Sequence, residues 1–185
     1  MQNCSVLDVG CGLGKGTDIL RRTALHADGQ DLDFQLSAIG AISKPLAEFP
    51  EKSYDIVVSI EVVEHVADPD EFIYQLARTA RKGFFVTTPN WTASRCTWPF
   101  HLREYTPKEF YDLLAPVGEV ALMKLASDGE VFYPVKHKAA YFLQNQLRCA
   151  PATDFLTRCA NHLLPAASRI YSHNAAFVTL PGQRS

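Results

Sequence analysis

Short apolar runs alternate with stretches of helical periodicity along most of this chain. The apolar runs predict strands at residues 5–9, 24–31, 54–60, 84–88, 117–125 and 175–180. The run at 54–60 is the clearest, because Ile56, Val57 and Val58 are β-branched and strands of this kind are buried in parallel sheets. Strands that alternate with helices predict an α/β fold, with an open, mostly parallel sheet and helices on both faces.

Helix starts are marked by their own local sequence. The stretch after the first strand predicts a helix over residues 15–23. Asp68 can cap a helix with Pro69 at its first position, and Gly83 is the residue where we expect this helix to stop. Thr106 and Glu109 form a capping box and predict a helix that ends near residue 116.

Residues 135–172 break the alternation. Apolar and basic side chains mix there at helical spacing, which predicts a helical insertion before the last strand, within a single domain of residues 1–185. Two interpretations remain open for this insertion: a cap over an active site, or a packed excursion that touches no ligand.

Composition narrows the class of protein. A chain of 185 residues with 47% hydrophobic content suits one compact domain. The net charge of −2 gives no general attraction to nucleic acid or to an anionic membrane, and no apolar run is long enough for a membrane span. The five cysteines include no C-x-x-C pair, and without a secretory signal they indicate reduced thiols and a cytoplasmic protein. The oligomeric state is not indicated.

The first strand runs directly into a glycine-rich loop. Asp8 precedes Gly10-Cys11-Gly12-Leu13-Gly14, and glycines in such a loop let the backbone approach a ligand closely. The G-x-G-x-G spacing differs from the G-x-G-x-x-G of dinucleotide-binding folds, and a purely structural turn is the alternative. Asp31 ends the second strand, where a carboxylate can bind ribose hydroxyls, although Asp28 and Asp33 lie close enough to compete for this role.

A third group of polar residues follows the strand at 54–60. Glu61, Glu64 and His65 form an E-x-x-E-H pattern, and His101 lies beyond the next strand in an aromatic-rich stretch. Ligands of open α/β sheets bind at the carboxyl ends of the strands. We therefore expect Glu61 to His65 to border a ligand site.

From about Val6 to Leu125, these motifs together resemble class I S-adenosylmethionine-dependent methyltransferases, and the third resembles the ubiquinone-biosynthesis-like group of small-molecule enzymes. The resemblance implies methyl transfer from S-adenosylmethionine to an oxygen or nitrogen of a small-molecule acceptor. Only a short stretch joins Asp31 to Tyr54, so the family's second helix and third strand should be abbreviated. The resemblance implies a cofactor site built from Asp8, Gly10, Cys11, Gly12, Gly14, Asp31, Ile42 and Glu61.

Ile42 marks a departure from the family. Ala41-Ile42-Ser43 stands where the family usually has an acidic residue for the adenine amino group, so adenine would rest on backbone and apolar contacts. This departure, with the abbreviated middle, leaves a second interpretation open. The chain would then be a non-catalytic, degenerate methyltransferase fold that serves as a binding or regulatory protein.

The histidines suggest catalytic chemistry. His65 and His101 would suit a general base near neutral pH. With Glu61 and Glu64 they also resemble the magnesium site of small-RNA 2′-O-methyltransferases, which implies a divalent metal on Glu61, Glu64, His65 and His101 and makes metal-assisted RNA methylation a further alternative. Two histidines suit manganese, iron or zinc at least as well as magnesium. The plain alternative is that these histidines only shape the pocket.

Overall fold

The computed structural model describes residues 2–125 and 131–182. In this part of the chain a single sheet has the strand order β2-β1-β3-β4-β7-β5-β6. The strands are β1 (Ser5–Val9), β2 (His26–Gln30), β3 (Tyr54–Ile60), β4 (Ala80–Pro89), β5 (Glu119–Leu125), β6 (Phe132–Pro134) and β7 (His173–Thr179). The α-helices are α1 (Lys15–Arg21), α2 (Pro69–Thr79), α3 (Trp91–Ser94), α4 (Pro107–Leu114), α5 (Lys138–Cys149) and α6 (Pro151–Leu163).

The sheet is open and mixed, with three parallel and three antiparallel strand pairings, and β1 to β5 run in one direction while β6 and β7 run in the other. β1 is parallel to β2 and β3, and β3 is parallel to β4. β7 lies antiparallel between β4 and β5, so β5 has the same direction as β1 to β4. The carboxyl ends of these parallel strands therefore lie on the same side of the sheet. Gly10, Asp31 and Glu61, which follow β1, β2 and β3, lie on this side.

Helices cover both faces of the sheet, which confirms the predicted fold class. Leu20 of α1 packs on Val6 and Ile56 on one face. The larger core lies on the other face, where Leu76 of α2 and Phe110 of α4 are fully buried. Neighbouring residues of a strand point to opposite faces, so one run of apolar residues supplies both cores.

Two helices begin as their sequence predicts. Asp68 Oδ1 accepts a hydrogen bond of 3.0 Å from Glu71 N at the start of α2. Thr106 and Glu109 form the full capping box of α4, in which each side chain bonds the other residue's backbone N–H. Local hydrogen bonding is sufficient to fix both starts.

The prediction that Gly83 stops a helix is wrong. α2 ends at Thr79, and Gly83 lies inside β4. A Cβ at Gly83 would lie 2.3 Å from Val178 O, so this position needs glycine because the backbone of β7 approaches it closely. Gly118, just before β5, faces Thr179 O at 2.4 Å in the same way.

The segment between β2 and β3 is short, as expected. It contains 3-10 helices at Phe34–Ile39 and Leu46–Glu48 and a bridge between Gln30 and Ile42. These elements stand where the family's second helix and third strand were expected to be abbreviated.

The predicted insertion is helical, with α5, α6 and a 3-10 helix at Ala166–Ser168. β6, which precedes it, was not predicted. α5 packs on α4 and α3, whereas α6 has no buried residue. Whether the insertion caps an acceptor stays a prediction.

None of the described helices has the length and apolar character to cross a membrane. The five cysteines are all free thiols.

Candidate functional site

The glycine loop after β1 is held by the neighbouring strand β2. Gly10 N and Cys11 N both donate to Gln30 O, at 2.8 and 3.0 Å. Gly10 has a φ of 72°, and a Cβ there would lie 2.4 Å from Val62 Cγ2. Gly12 has a φ of 50°, and a Cβ there would meet nothing within 4 Å. Gly10 is therefore required by packing, whereas Gly12 faces open space in which a ligand can approach its backbone.

Asp31 ties the end of β2 to this loop. Its Oδ2 accepts a hydrogen bond of 3.0 Å from Gly12 N, and its Oδ1 accepts one of 3.1 Å from Asp33 N. Asp28 instead accepts a hydrogen bond from the Tyr54 hydroxyl at 2.7 Å, and Asp33 caps a 3-10 helix. Of the three acids, Asp31 is the one placed beside the glycine loop.

A cavity of about 400 Å³ lies beside the loop at the carboxyl ends of β1 to β3. Gly10, Asp31, Glu61 and His65 line it together with apolar side chains such as Phe72. A mostly apolar cavity of this size with a few polar groups is typical of a small-molecule site.

The other predicted cofactor residues are not among the residues that line this cavity. Asp8 is buried and accepts a hydrogen bond of 2.7 Å from Thr17 Oγ1 in α1, and burial raises the pKa of Asp8. Cys11 and Gly14 line a separate cavity of about 250 Å³, and burial raises the pKa of the Cys11 thiol. Ile42 forms the bridge with Gln30, next to Asp31.

Glu61 follows β3 in a strained backbone conformation, with a φ of 54°. Thr87 of β4 holds it from both sides, because Glu61 N donates to Thr87 Oγ1 at 3.2 Å and the Thr87 hydroxyl donates to Glu61 Oε1 at 2.7 Å. His173 Nε2 of β7 lies 3.4 Å from Glu61 Oε2. Burial raises the pKa of Glu61, against the lowering effects of Thr87 and His173. Sequence analysis missed Thr87 and His173, since these contacts join distant strands and leave no local signal.

Glu64 is fully buried in the turn after Glu61. Neither of its carboxyl oxygens has a hydrogen bond of good geometry within the described residues. Burial, with a further contribution from the charge of Glu61, raises the pKa of Glu64 to about 8. An unpaired buried carboxylate is costly, so this side chain is suited to a positively charged group beside it.

The loop after α3 returns to Glu64 and brings His101 to His65. Leu102 N and Arg103 N both donate to Glu64 O, at 2.8 and 3.2 Å. The rings of His65 and His101 lie edge to face with centroids 4.9 Å apart. Backbone pairing of distant segments thus assembles the histidines.

Each histidine is oriented through its Nδ1. His65 Nδ1 lies 3.0 Å from Phe100 O, and His101 Nδ1 lies 2.6 Å from Glu104 Oε1. Both partners are acceptors, so we assign a proton to each Nδ1; in the neutral form of the ring, Nε2 then carries a free lone pair.

Glu104 was missed by sequence analysis. It is buried and also accepts hydrogen bonds from Cys96 N, at 2.9 Å, and from the Ser94 hydroxyl. The H-x-x-E spacing of His101 and Glu104 is the signal that would have found it. A carboxylate behind a histidine is a common second partner of metal-binding histidines.

Glu64, His65 and His101 each offer a ligand atom, and these atoms all lie within 4.8 Å of one another. One carboxylate oxygen and two imidazole nitrogens form a ligand set that suits manganese, iron or zinc. The structure thus brings together three of the four predicted metal ligands, while the carboxylate of Glu61 is engaged with Thr87 and His173.

The chain is similar in sequence to known methyltransferases. Residues 2–161 match the model of a methyltransferase domain family. A probable S-adenosylmethionine-dependent methyltransferase of Mycolicibacterium smegmatis is 35% identical over 130 residues, which cover 61% of this chain and 51% of that relative. A ubiquinone biosynthesis O-methyltransferase of Idiomarina loihiensis is 29% identical over 167 residues, covering 71% of this chain and 66% of that relative. The chain thus spans about half to two thirds of the length of these curated relatives.

A solved structure supports the fold. The crystal structure of an S-adenosylmethionine-dependent methyltransferase from Archaeoglobus fulgidus aligns with a TM-score of 0.60 at 17% identity, covering 95% of this chain and 85% of that one. Likeness at this identity concerns the fold, and the family match rests on sequence. The chain therefore belongs to the methyltransferase domain family and has the Rossmann-like fold of the S-adenosylmethionine-dependent methyltransferases.

Proposed function

We propose that this chain transfers a methyl group from S-adenosylmethionine to a hydroxyl oxygen of a small-molecule acceptor. The observation that carries the proposal is the cluster of Glu64, His65 and His101 beside the cavity of about 400 Å³. His65 belongs to both, so an acceptor held at the cluster would lie next to a donor in the cavity. The O-methyltransferase name of the Idiomarina relative supports an oxygen acceptor.

The donor would occupy the cavity along the glycine loop. The backbone of Gly10 and Gly12 would contact the donor closely, and Asp31 would accept hydrogen bonds from its ribose hydroxyls. A carboxylate has about four acceptor positions, and two hydrogen bonds from the loop leave Asp31 free to make more. Asp8, Cys11 and Gly14 would support the loop from behind, and Ile42 would offer an apolar contact to adenine.

The chain's task is mainly alignment, because a sulfonium donor is already activated. The Glu61 side chain, held in place by its hydrogen bond from Thr87, would line the site between donor and acceptor. His101, fixed by Glu104, would direct its Nε2 toward the acceptor. In the absence of a metal, Nε2 of His65 or His101 would accept the proton of the hydroxyl.

A divalent metal would fit the cluster, because the buried carboxyl of Glu64 has no hydrogen bond of good geometry within the described residues and lies beside the two imidazole rings. Glu64 would supply an oxygen ligand, and His65 and His101 would supply their Nε2 atoms. When bound, the ion would supply positive charge that lowers the pKa of an acceptor hydroxyl and orients it. Glu104 would keep His101 in its ligating orientation.

The test combines binding and transfer. We would titrate the purified chain with S-adenosylmethionine and with Mn²⁺ or Zn²⁺ by calorimetry, and assay labelled methyl transfer to a panel of catechols, phenols and amines with and without chelator. We expect Glu64→Gln and His101→Gln to lower metal affinity and transfer by roughly 10-fold to 100-fold or more while donor binding persists. His162→Gln, at an exposed position in α6, is the matched control and should change neither.

The outcomes separate the parts of the proposal. Absence of donor binding would overturn the whole proposal, and transfer to amines alone would overturn the oxygen acceptor. Full transfer activity in the presence of chelator would overturn the role of a metal. Wild-type transfer activity of His101→Gln would overturn the role of the cluster.

A further inference from the structure

A second large cavity lies at the β6 edge of the sheet, away from the proposed methyl-transfer site. It measures about 470 Å³ and is bordered by β5, β6, the start of α5 and the 3-10 helix at Ala166–Ser168. β4 and β7 lie between β5 and the strand that precedes Glu61. A ligand in this cavity would therefore be separate from the methyl donor.

Lys124 is the unusual residue of this cavity. Val120 and Leu122 of β5 point into the core, and Lys124 continues this inward pattern, so the lysine occupies an apolar position. It is only 2% exposed. Lysine is almost never buried to this degree without an acidic partner, because its charge loses hydration.

The described residues offer Lys124 no acidic partner. Nζ donates a hydrogen bond to Arg169 O and lies 4.8 Å from the ring centroid of Tyr141. No described carboxylate lies within 4 Å of Nζ. Burial lowers the pKa of Lys124 to about 8. A bound anion would offset this loss of hydration.

A further lysine and a histidine line the same cavity. Lys136 and His137 border it, and none of its described lining residues is acidic. α5 is 12 residues long and begins at this cavity. His137 is its N-cap residue, and the His137 side chain makes no capping hydrogen bond. The free N–H groups of a helix start carry partial positive charge and favour anions.

The rest of the lining is suited to an organic group. Pro134, Val135 and Ala140 contribute apolar surface. A cavity of about 470 Å³ is in the range of small-molecule sites and leaves room beyond a single oxyanion.

We propose that this cavity binds a small organic anion. The phosphate or carboxylate group of this anion pairs with Lys124 of β5 and faces the start of α5, and its apolar body lies against Pro134, Val135 and Ala140. The proposal concerns a site distinct from the proposed methyl-transfer site and does not depend on it.

The test is calorimetric titration of the chain with phenyl phosphate, benzoate, inorganic phosphate and neutral benzyl alcohol. We expect phenyl phosphate or benzoate to bind, with the tighter of the two identifying the anionic group, and we expect benzyl alcohol not to bind. Lys124→Met keeps most of the side-chain volume and removes the charge, so it should lower the affinity by roughly tenfold or more. Lys108→Gln, an exposed lysine of α4 outside this cavity, is the matched control and should leave the affinity unchanged.

Lys136→Glu provides a second variant. The position is exposed, so the fold should tolerate the substitution, which reverses a charge at the cavity. It should also weaken binding, so the proposal stays testable if Lys124→Met fails to fold. Equal affinity of the wild type and Lys136→Glu would overturn the proposal. A folded Lys124→Met with the affinity of the wild type would also overturn it. So would benzyl alcohol that binds as tightly as the anions, or inorganic phosphate that binds as tightly as phenyl phosphate. Absence of binding of both organic anions up to about 10 mM would overturn it as well.

Discussion

At the scale of single residues, the candidate site contains four residues with left-handed backbone conformations. Gly10, Gly12 and Gly14 all have positive φ, and Glu61 shares this conformation without being glycine. Glu61 is held there by its hydrogen bonds with Thr87. Strain of this kind persists only where the surroundings fix it, and it often marks functional sites.

Gly12 gives the first prediction. Gly12→Ala should cost about 1–2 kcal/mol of unfolding free energy, because alanine is strained at a φ of 50°. It should also lower the affinity for S-adenosylmethionine by roughly tenfold or more, because the new methyl group would point into open space beside the loop. Urea unfolding and calorimetry measure the two effects.

The matched control is Gly182→Ala. Gly182 also has a positive φ of 87° and free space around its Cβ position, so the stability cost should be similar. Donor affinity should stay at the wild-type value in this control. Equal donor affinity in the two variants would contradict the placement of the donor at Gly12.

What sequence could predict at this scale follows the range of the contacts. Glu64 and His65 are neighbours in a motif, and His101 was matched by residue type, so the cluster was predictable as a set. Glu61 was predicted as its fourth member, but Thr87 and His173 compete for its carboxylate, and these come from strands that only the fold brings near. Lys124 was likewise invisible as a site, because a lysine at the end of a strand gives no sign of burial.

At the scale of elements, local signals were reliable and long-range ones were not. The capping box of Thr106 and Glu109 fixes the start of α4 through contacts three residues apart. Gly83 looks like a helix stop in the sequence, yet its real cause is the approach of Val178 from a strand almost a hundred residues later. β6 was missed because its three residues pair only with β5.

Asp55 joins two elements and gives a prediction on pH. It lies in β3 and accepts hydrogen bonds from Ser5 N at 2.9 Å and Ser5 Oγ at 3.1 Å in β1, and Lys82 Nζ lies 3.4 Å away. The hydrogen bond from Ser5 N is the main cause that lowers the pKa of Asp55. The stability that this carboxylate contributes is therefore complete above its unfolded pKa of about 3.9 and is lost as the pH falls through the lower folded pKa.

The measurement is urea unfolding of the wild type and Asp55→Asn between about pH 6 and pH 2.5. We expect the wild type to be more stable at pH 6 and the difference to shrink below about pH 4. Ser5→Ala keeps the backbone donor and should retain most of the pH dependence. A difference between wild type and Asp55→Asn that stays constant with pH would contradict this role of Asp55.

At the scale of the whole molecule, burial is uneven. Ala175, Ala176 and Val178 of β7 are fully buried in the middle of the sheet, whereas α6 has no buried residue. Leu156 and Leu163 of α6 are largely exposed. Elements with few buried contacts open at lower free energy than the core.

Hydrogen exchange tests this gradient. Backbone amides of α6 should exchange roughly 100-fold faster or more than those of β4 and β7, because opening α6 exposes little apolar surface. The first helix of the insertion, α5, should be intermediate, since Tyr141 and Asn145 are buried. Protection of α6 equal to that of β7 would show that both belong to one cooperative unit.

The place of β7 has a consequence for synthesis in the cell. Its neighbours β4 and β5 are made first, and until β7 emerges from the ribosome each has a free edge facing the gap that β7 fills. Free strand edges invite pairing with other chains. A nascent chain that stalls before His173 is therefore a candidate for chaperone capture or aggregation, and the helices of the insertion set how long that interval lasts.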